Sequence, residues 1–147
     1  MKTTFYLYLV AMFLNAFVDL GHKILIQNTI FKLYDGSEQI LFTAIVNLLI
    51  LLPFVLFFSS SGYISDRFRK KNILVLMSFI AIIITLGITY CYYHGFFKIA
   101  FFLTFLLAIQ SAFYSPAKYG LIKELLGEKY LIKGNAYVQS LTIVAIL

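Results

Sequence analysis

Long apolar blocks separated by short polar breaks organise this chain, at about 5–29, 39–61, 72–93 and 97–115. Crossing the roughly 30 Å of hydrocarbon in a bilayer takes about 20 residues of helix, and each block is about long enough. Irregular backbone and open strands leave hydrogen-bonding groups unsatisfied in lipid, so the blocks predict four transmembrane helices. A fifth begins near Asn135 and is still apolar at Ile143-Val144-Ala145-Ile146-Leu147. A carboxylate ending there would sit in hydrocarbon at high cost, so a fragment of a longer protein is expected, with a fifth helix started over about 135–147. The breaks fall at Tyr34-Asp35-Gly36-Ser37, from Ser65 to Asn72, at His94-Gly95, and over the polar stretch from Ser115 to Gly134. Pro53 removes a backbone donor inside the second block and predicts a kink there, while Pro116 is placed to stop the fourth helix.

Composition sharpens the fold class to an all-α membrane protein. Of the 147 residues, 62% are hydrophobic and 12% charged, and the mean hydropathy is +0.93. Soluble domains hold about 45–50% apolar residues and could not bury this excess. The net charge of +6 would suggest nucleic acid in a soluble chain. Here the cations gather in the breaks instead. Lys2, Arg67, Arg69, Lys70, Lys71, Lys118, Lys123, Lys129 and Lys133 fall on one side of the alternating topology, and Lys32 and Lys98 on the other. That asymmetry places the N-terminus and the second and fourth connections in the cytoplasm and excludes nucleic acid as the partner. Cys91 is the single cysteine, so it forms no internal disulfide and is expected only to pack. The charged start and apolar run from Phe5 to Leu14 resemble a signal peptide, but Asn15, Asp19 and Lys23 follow without a small-residue cleavage site, which argues for a retained helix.

The first helix carries the residues least suited to lipid. At about 100° per residue, Tyr8, Met12, Asn15, Asp19 and His22 share one narrow stripe, with Lys23 at its edge. Such a stripe must face protein or a watery cavity, because a charge at mid-membrane costs several kcal/mol unless paired or snorkelled. A substrate-cavity wall is the functional reading. An Asp19–Lys23 pair at i,i+4 that neutralises itself and merely packs helices is the alternative. His22 could titrate, although a lone histidine on a polar helix face is more often simply hydrogen-bonded. No Gly-x-Ser-x-Gly, phosphate-binding glycine loop or His/Cys metal spacing occurs, so no catalytic residue, metal or cofactor is expected.

The second connection reads Gly62-Tyr63-Ile64-Ser65-Asp66-Arg67-Phe68-Arg69-Lys70-Lys71. It resembles the signature between helices two and three of the major facilitator superfamily: a glycine, a small residue, an aspartate, an arginine and a basic cluster. Lysine stands where the pattern usually ends in arginine. The resemblance implies the N-terminal part of a major facilitator fold, with Gly62, Asp66, Arg67, Lys70 and Lys71 as a gating motif. Physically, Gly62 would permit close helix approach, Asp66 could meet a helix N-terminus or an arginine, and the cations would hold the cytoplasmic side. The fourth helix offers Gln110 and Ser111 where many proton-coupled members carry an arginine, which weighs against proton coupling.

A second set of residues is more particular: Tyr114-Ser115-Pro116-Ala117-Lys118-Tyr119-Gly120, then Glu124-Leu125, then Lys133-Gly134-Asn135-Ala136, with Asn15-Ala16-Phe17-Val18-Asp19 in helix one. These resemble the lysophospholipid transporter family. The resemblance implies a transporter moving lysophospholipids, chiefly lysophosphatidylethanolamine, to the cytoplasmic leaflet of the inner membrane by alternating access of two helix bundles. Asn15, Asp19, His22, Lys23 and Lys118 would then bind substrate, Asp19 meeting the ethanolamine ammonium and Lys118 the lipid phosphate. For Lys118, a plain helix-end role is the alternative. Membrane lipids and the remaining helices of the same chain are the other expected partners. The same fold could instead carry a drug or small metabolite. It could also form the membrane part of a bifunctional acyltransferase, although neither His22 nor His94 is followed four residues on by an aspartate. A non-transporting scaffold is the remaining alternative.

Overall fold

The computed structural model describes residues 3–146, so Lys2 and Leu147 of the sequence argument lie outside the described residues. The described chain is helical almost throughout: α1 (Thr3–Leu33), α2 (Gly36–Leu56), α3 (Phe58–Arg67), α4 (Lys70–Tyr93), α5 (Phe97–Leu126), a short 3-10 turn (Glu128–Tyr130) and α6 (Leu131–Ile146). Four of these, α1, α2, α4 and α5, are long and apolar enough to cross a membrane. Leucine, valine and phenylalanine side chains stand exposed along their outer faces, with Val55 76% and Phe79 61% exposed. Apolar surface on this scale is stable against lipid tails and costly against water.

Hydroxyl groups within the helices are satisfied locally. Thr43, Thr85, Thr104 and Thr142 each donate to the carbonyl four residues back, at 2.7–2.9 Å. This back-bonding lets a polar residue sit in an apolar span without an outside partner.

Two helix ends show why glycine stands where it does. At the end of α4, His94 N–H reaches Tyr90 O, Gly95 N–H reaches Tyr92 O and Phe96 N–H reaches Cys91 O at 2.8 Å. That closure needs a left-handed residue, and Gly95 supplies it with φ +75°. Gly127, at φ +74°, ends α5 in the same way, its N–H bonding to Lys123 O at 2.9 Å.

Both prolines behave differently from their sequence expectation. The irregularity expected at Pro53 falls at Phe57 (φ −101°, ψ 7°), which divides the second apolar block into α2 and α3. Pro53 cannot donate to the carbonyl one turn before it, and the distortion is taken up one turn later. The ladder continues across the junction, because Phe57 N–H reaches Pro53 O at 2.9 Å and Ser61 N–H reaches Phe57 O at 2.8 Å. Pro116 does not stop the fourth span: α5 runs through it for ten further residues to Leu126. The missing donor is outweighed by packing, since Ala117 and Ile122 beyond the proline are fully buried. The long polar connection expected between Ser115 and Gly134 is consequently mostly helix.

The chain divides into two compact units, residues up to 29 together with 119 onward, and residues 30–118. In the first, Phe5, Tyr8, Leu9, Met12, Ala16 and Ile26 line the buried side of α1. Here α6 runs back along the end of α5. A Cβ built on Gly134 would lie 2.5 Å from Ile122 Cγ2 and 2.7 Å from Leu126 Cδ1, so only glycine allows this approach. Gln139 Nε2 donates to Tyr119 Oη at 2.9 Å one turn further along. In the second unit, aromatic contacts join the helices: Tyr34 to Phe42 at 4.2 Å, Phe42 to Phe101 at 6.5 Å, and Phe57 to Phe113 at 5.5 Å between ring centroids. Cys91 is buried in this unit as a free thiol.

Candidate functional site

The polar stripe on α1 is turned toward protein. Tyr8, Met12 and His22 are each less than 8% exposed, and Asn15, Asp19 and Lys23 are half-buried. Asn15 and Asp19, four residues apart, are brought together by the helical repeat: Asn15 Nδ2 donates to Asp19 Oδ2 at 3.1 Å. An amide donor on a carboxylate oxygen fixes its direction. The pair thus presents an oriented acceptor on a helix whose other face is greasy. Such an arrangement can receive an ammonium or another donor group, and it is ill-suited to an apolar ligand.

The candidate gating residues lie in the second unit, at the junction of α3 and α4. Asp66 and Arg67 are the last two residues of α3, Phe68 and Arg69 are extended, and Lys70 and Lys71 open α4. Asp66, Arg67, Arg69 and Lys71 are exposed. Arg67 Nη1 donates to Tyr63 Oη at 2.5 Å, and its guanidinium carbon lies 5.9 Å from the Tyr63 ring centroid. Arg67 suits the negative C-terminal end of α3, whereas Asp66 and the lysines each sit at the helix end that disfavours their charge. A Cβ added at Gly62 would meet nothing within 4 Å among the described residues, so no described helix uses the space it leaves.

Lys118 is half-buried two residues after Pro116, within α5, at the limit of the second unit. It is a mid-helix residue, and the end of the helix lies two turns on, at the Gly127 turn. There Lys123 Nζ lies 2.7 Å from Glu128 Oε1, bridging the turn between α5 and the 3-10 segment. The hydrogen bond and charge of Lys123 hold the Glu128 carboxyl below its ordinary range.

Sequence reasoning missed three contacts. Tyr63 as the partner of Arg67 was recoverable from the i,i+4 spacing. The Tyr119–Gln139 bond and the Gly134 contact join positions 20 and 12 residues apart, and no local pattern signals either.

No family model matches the chain, and no solved structure matches it. Curated relatives do. The chain is 34% identical over 144 residues to the lysophospholipid transporter LplT of Photorhabdus laumondii subsp. laumondii, covering 95% of this chain and 33% of that protein. It is 33% identical over 143 residues to the transporter of the same name from Serratia proteamaculans, covering 93% of this chain and 32% of the relative. With the corresponding protein of Yersinia pestis the identity is 32% over 118 residues, 77% of this chain and 25% of the relative. The chain thus spans about a third or less of the length of these relatives. Over nearly its whole length, all four apolar spans included, the chain is similar to proteins named as lysophospholipid transporters.

Proposed function

We propose that the protein moves lysophospholipids, chiefly lysophosphatidylethanolamine, across the inner membrane to its cytoplasmic leaflet by alternating access. In this reading the chain supplies the first helices of a major facilitator fold, and further helices of the same chain close the cavity. The observation that carries it is the Asn15–Asp19 pair, an oriented carboxylate held half-buried on a membrane-spanning helix. Relatives named as lysophospholipid transporters support the substrate class. Asp19 is complementary to an ammonium such as that of ethanolamine, and Lys118 to a phosphate. Asn15 orients Asp19, and His22 and Lys23 border it on the same helix. The excess of lysine and arginine at the junction of α3 and α4 and around the Gly127 turn supports a cytoplasmic N-terminus and a cytoplasmic gate built on Gly62, Asp66, Arg67, Lys70 and Lys71.

Asp19→Asn tests the assignment, because it keeps the size of the side chain and one acceptor oxygen and removes the charge. Transport of labelled lysophosphatidylethanolamine is expected to fall roughly tenfold or more, with membrane insertion intact. Unchanged transport at equal expression would remove Asp19 from the binding site.

A further inference from the structure

Gln110 presents an unpaired donor in the middle of a membrane span. It lies thirteen residues into α5, about 20 Å along the helix axis, and is 3% exposed. Its Oε1 accepts a hydrogen bond from Ser111 Oγ at 3.2 Å, which sets the orientation of the amide. Its Nε2 is buried and has no hydrogen-bond partner among the described residues. Neighbouring hydroxyls on the same helix are satisfied, Thr104 by Ala100 O and Ser115 by Ser111 O, so the helix does not lack means of pairing polar groups. A buried donor left unpaired lowers stability, and a methionine of the same length and shape would fill the site without that loss. A buried amide donor without an acceptor in a span this apolar points to a ligand that supplies one.

We infer that the Gln110 side-chain amide is a head-group donor in the transport path, giving its N–H to a phosphate oxygen of the lysophospholipid. The inference rests on the transport reading above and adds a residue to it. An amide N–H needs an acceptor, lipid tails offer none, and the phosphodiester carries two anionic oxygens that only accept. A neutral donor on α5 recognises the anionic end without placing a permanent charge at mid-membrane, where an arginine would be costly.

The test uses the purified full-length protein in detergent, with Gln110→Met and Gln110→Glu, and follows thermal unfolding during titration with lysophosphatidylethanolamine or with monoacylglycerol, which lacks the phosphate. Gln110→Met is expected to unfold at the wild-type temperature or above it without ligand, while its apparent affinity for lysophosphatidylethanolamine falls roughly tenfold or more. Monoacylglycerol should stabilise wild type and Gln110→Met alike, and Gln110→Glu should bind the phosphate-bearing lipid more weakly still. A destabilised Gln110→Met with unchanged lysophospholipid affinity would overturn the inference and make Gln110 a packing residue bonded to another helix. Equal loss for both lipids would overturn the phosphate assignment. Wild type indifferent to lysophosphatidylethanolamine would overturn the transport reading and the ligand of Gln110 together, whereas a responsive wild type matched by Gln110→Met would overturn the inference alone.

Discussion

Gly134 offers a quantitative test of how α6 is held against α5. In Gly134→Ala the added methyl would stand 2.5 Å from Ile122 Cγ2 and 2.7 Å from Leu126 Cδ1, closer than carbon atoms approach without displacement. Ile122 is β-branched, helical and fully buried, so it has little rotamer freedom with which to give way. Leu126 is half-buried at the last residue of α5 and must shift its Cδ1 to make room. Overpacking of this kind costs about 1–3 kcal/mol. Replacing a glycine in the first turn of a helix by alanine returns at most about 1 kcal/mol of helix propensity, leaving a net loss of up to about 2 kcal/mol. Gly21→Ala is the control, since nothing lies within 4 Å of its Cβ position and only the propensity gain applies. The assay is denaturation of the full-length protein in mixed micelles, run as a double-mutant cycle with Ile122→Ala. Shortening Ile122 makes room for the methyl, so the two losses should fall short of additivity by about 1 kcal/mol or more. Gly134→Ala stabilising as much as Gly21→Ala, with Ile122→Ala strictly additive, would refute the close approach.

Three further outcomes are expected. Tyr119→Phe removes the acceptor for Gln139 Nε2 and should weaken the α5–α6 contact by about 0.5 kcal/mol, the low end for a hydrogen bond because the pair is exposed, as read by the same denaturation. The Lys123–Glu128 bridge holds the Glu128 carboxyl below its ordinary range, so its contribution is complete above the ordinary glutamate range and is lost as the pH falls through the lowered one. Hydrogen exchange of the Gly127–Leu131 amides, corrected for intrinsic rates, should accelerate in that acid window in wild type and show no such step in Lys123→Gln. Replacing Arg67, Arg69, Lys70 and Lys71 together by glutamine should produce mixed membrane orientation, seen as labelling from outside the cell of a cysteine placed at Asn72, which stays unlabelled in the parent protein.

The spanning helices were legible in the sequence because a 20-residue apolar run has few physical solutions. The polar stripe on α1 was legible for the same reason, since helical geometry alone groups Asn15 with Asp19 and His22. Local rules failed where packing decides. Pro116 reads as a stop, yet the buried Ala117 and Ile122 carry α5 through it to Leu126. Pro53 reads as the kink, yet the irregularity settles at Phe57, whose ring packs at a tilt against Phe113 far along the chain. Gln110 was visible as a polar residue in a span, but its unpaired amide is a property of its surroundings and has no signature in composition or spacing.

The central claim is tested most directly by uptake of labelled lysophosphatidylethanolamine into cells that lack their own activity and express the full-length protein, scored by conversion to diacyl lipid inside. Uptake above the empty-vector level, reduced in Asp19→Asn, is the expected result. No uptake above that level, with the protein present in the membrane, would contradict the lysophospholipid assignment.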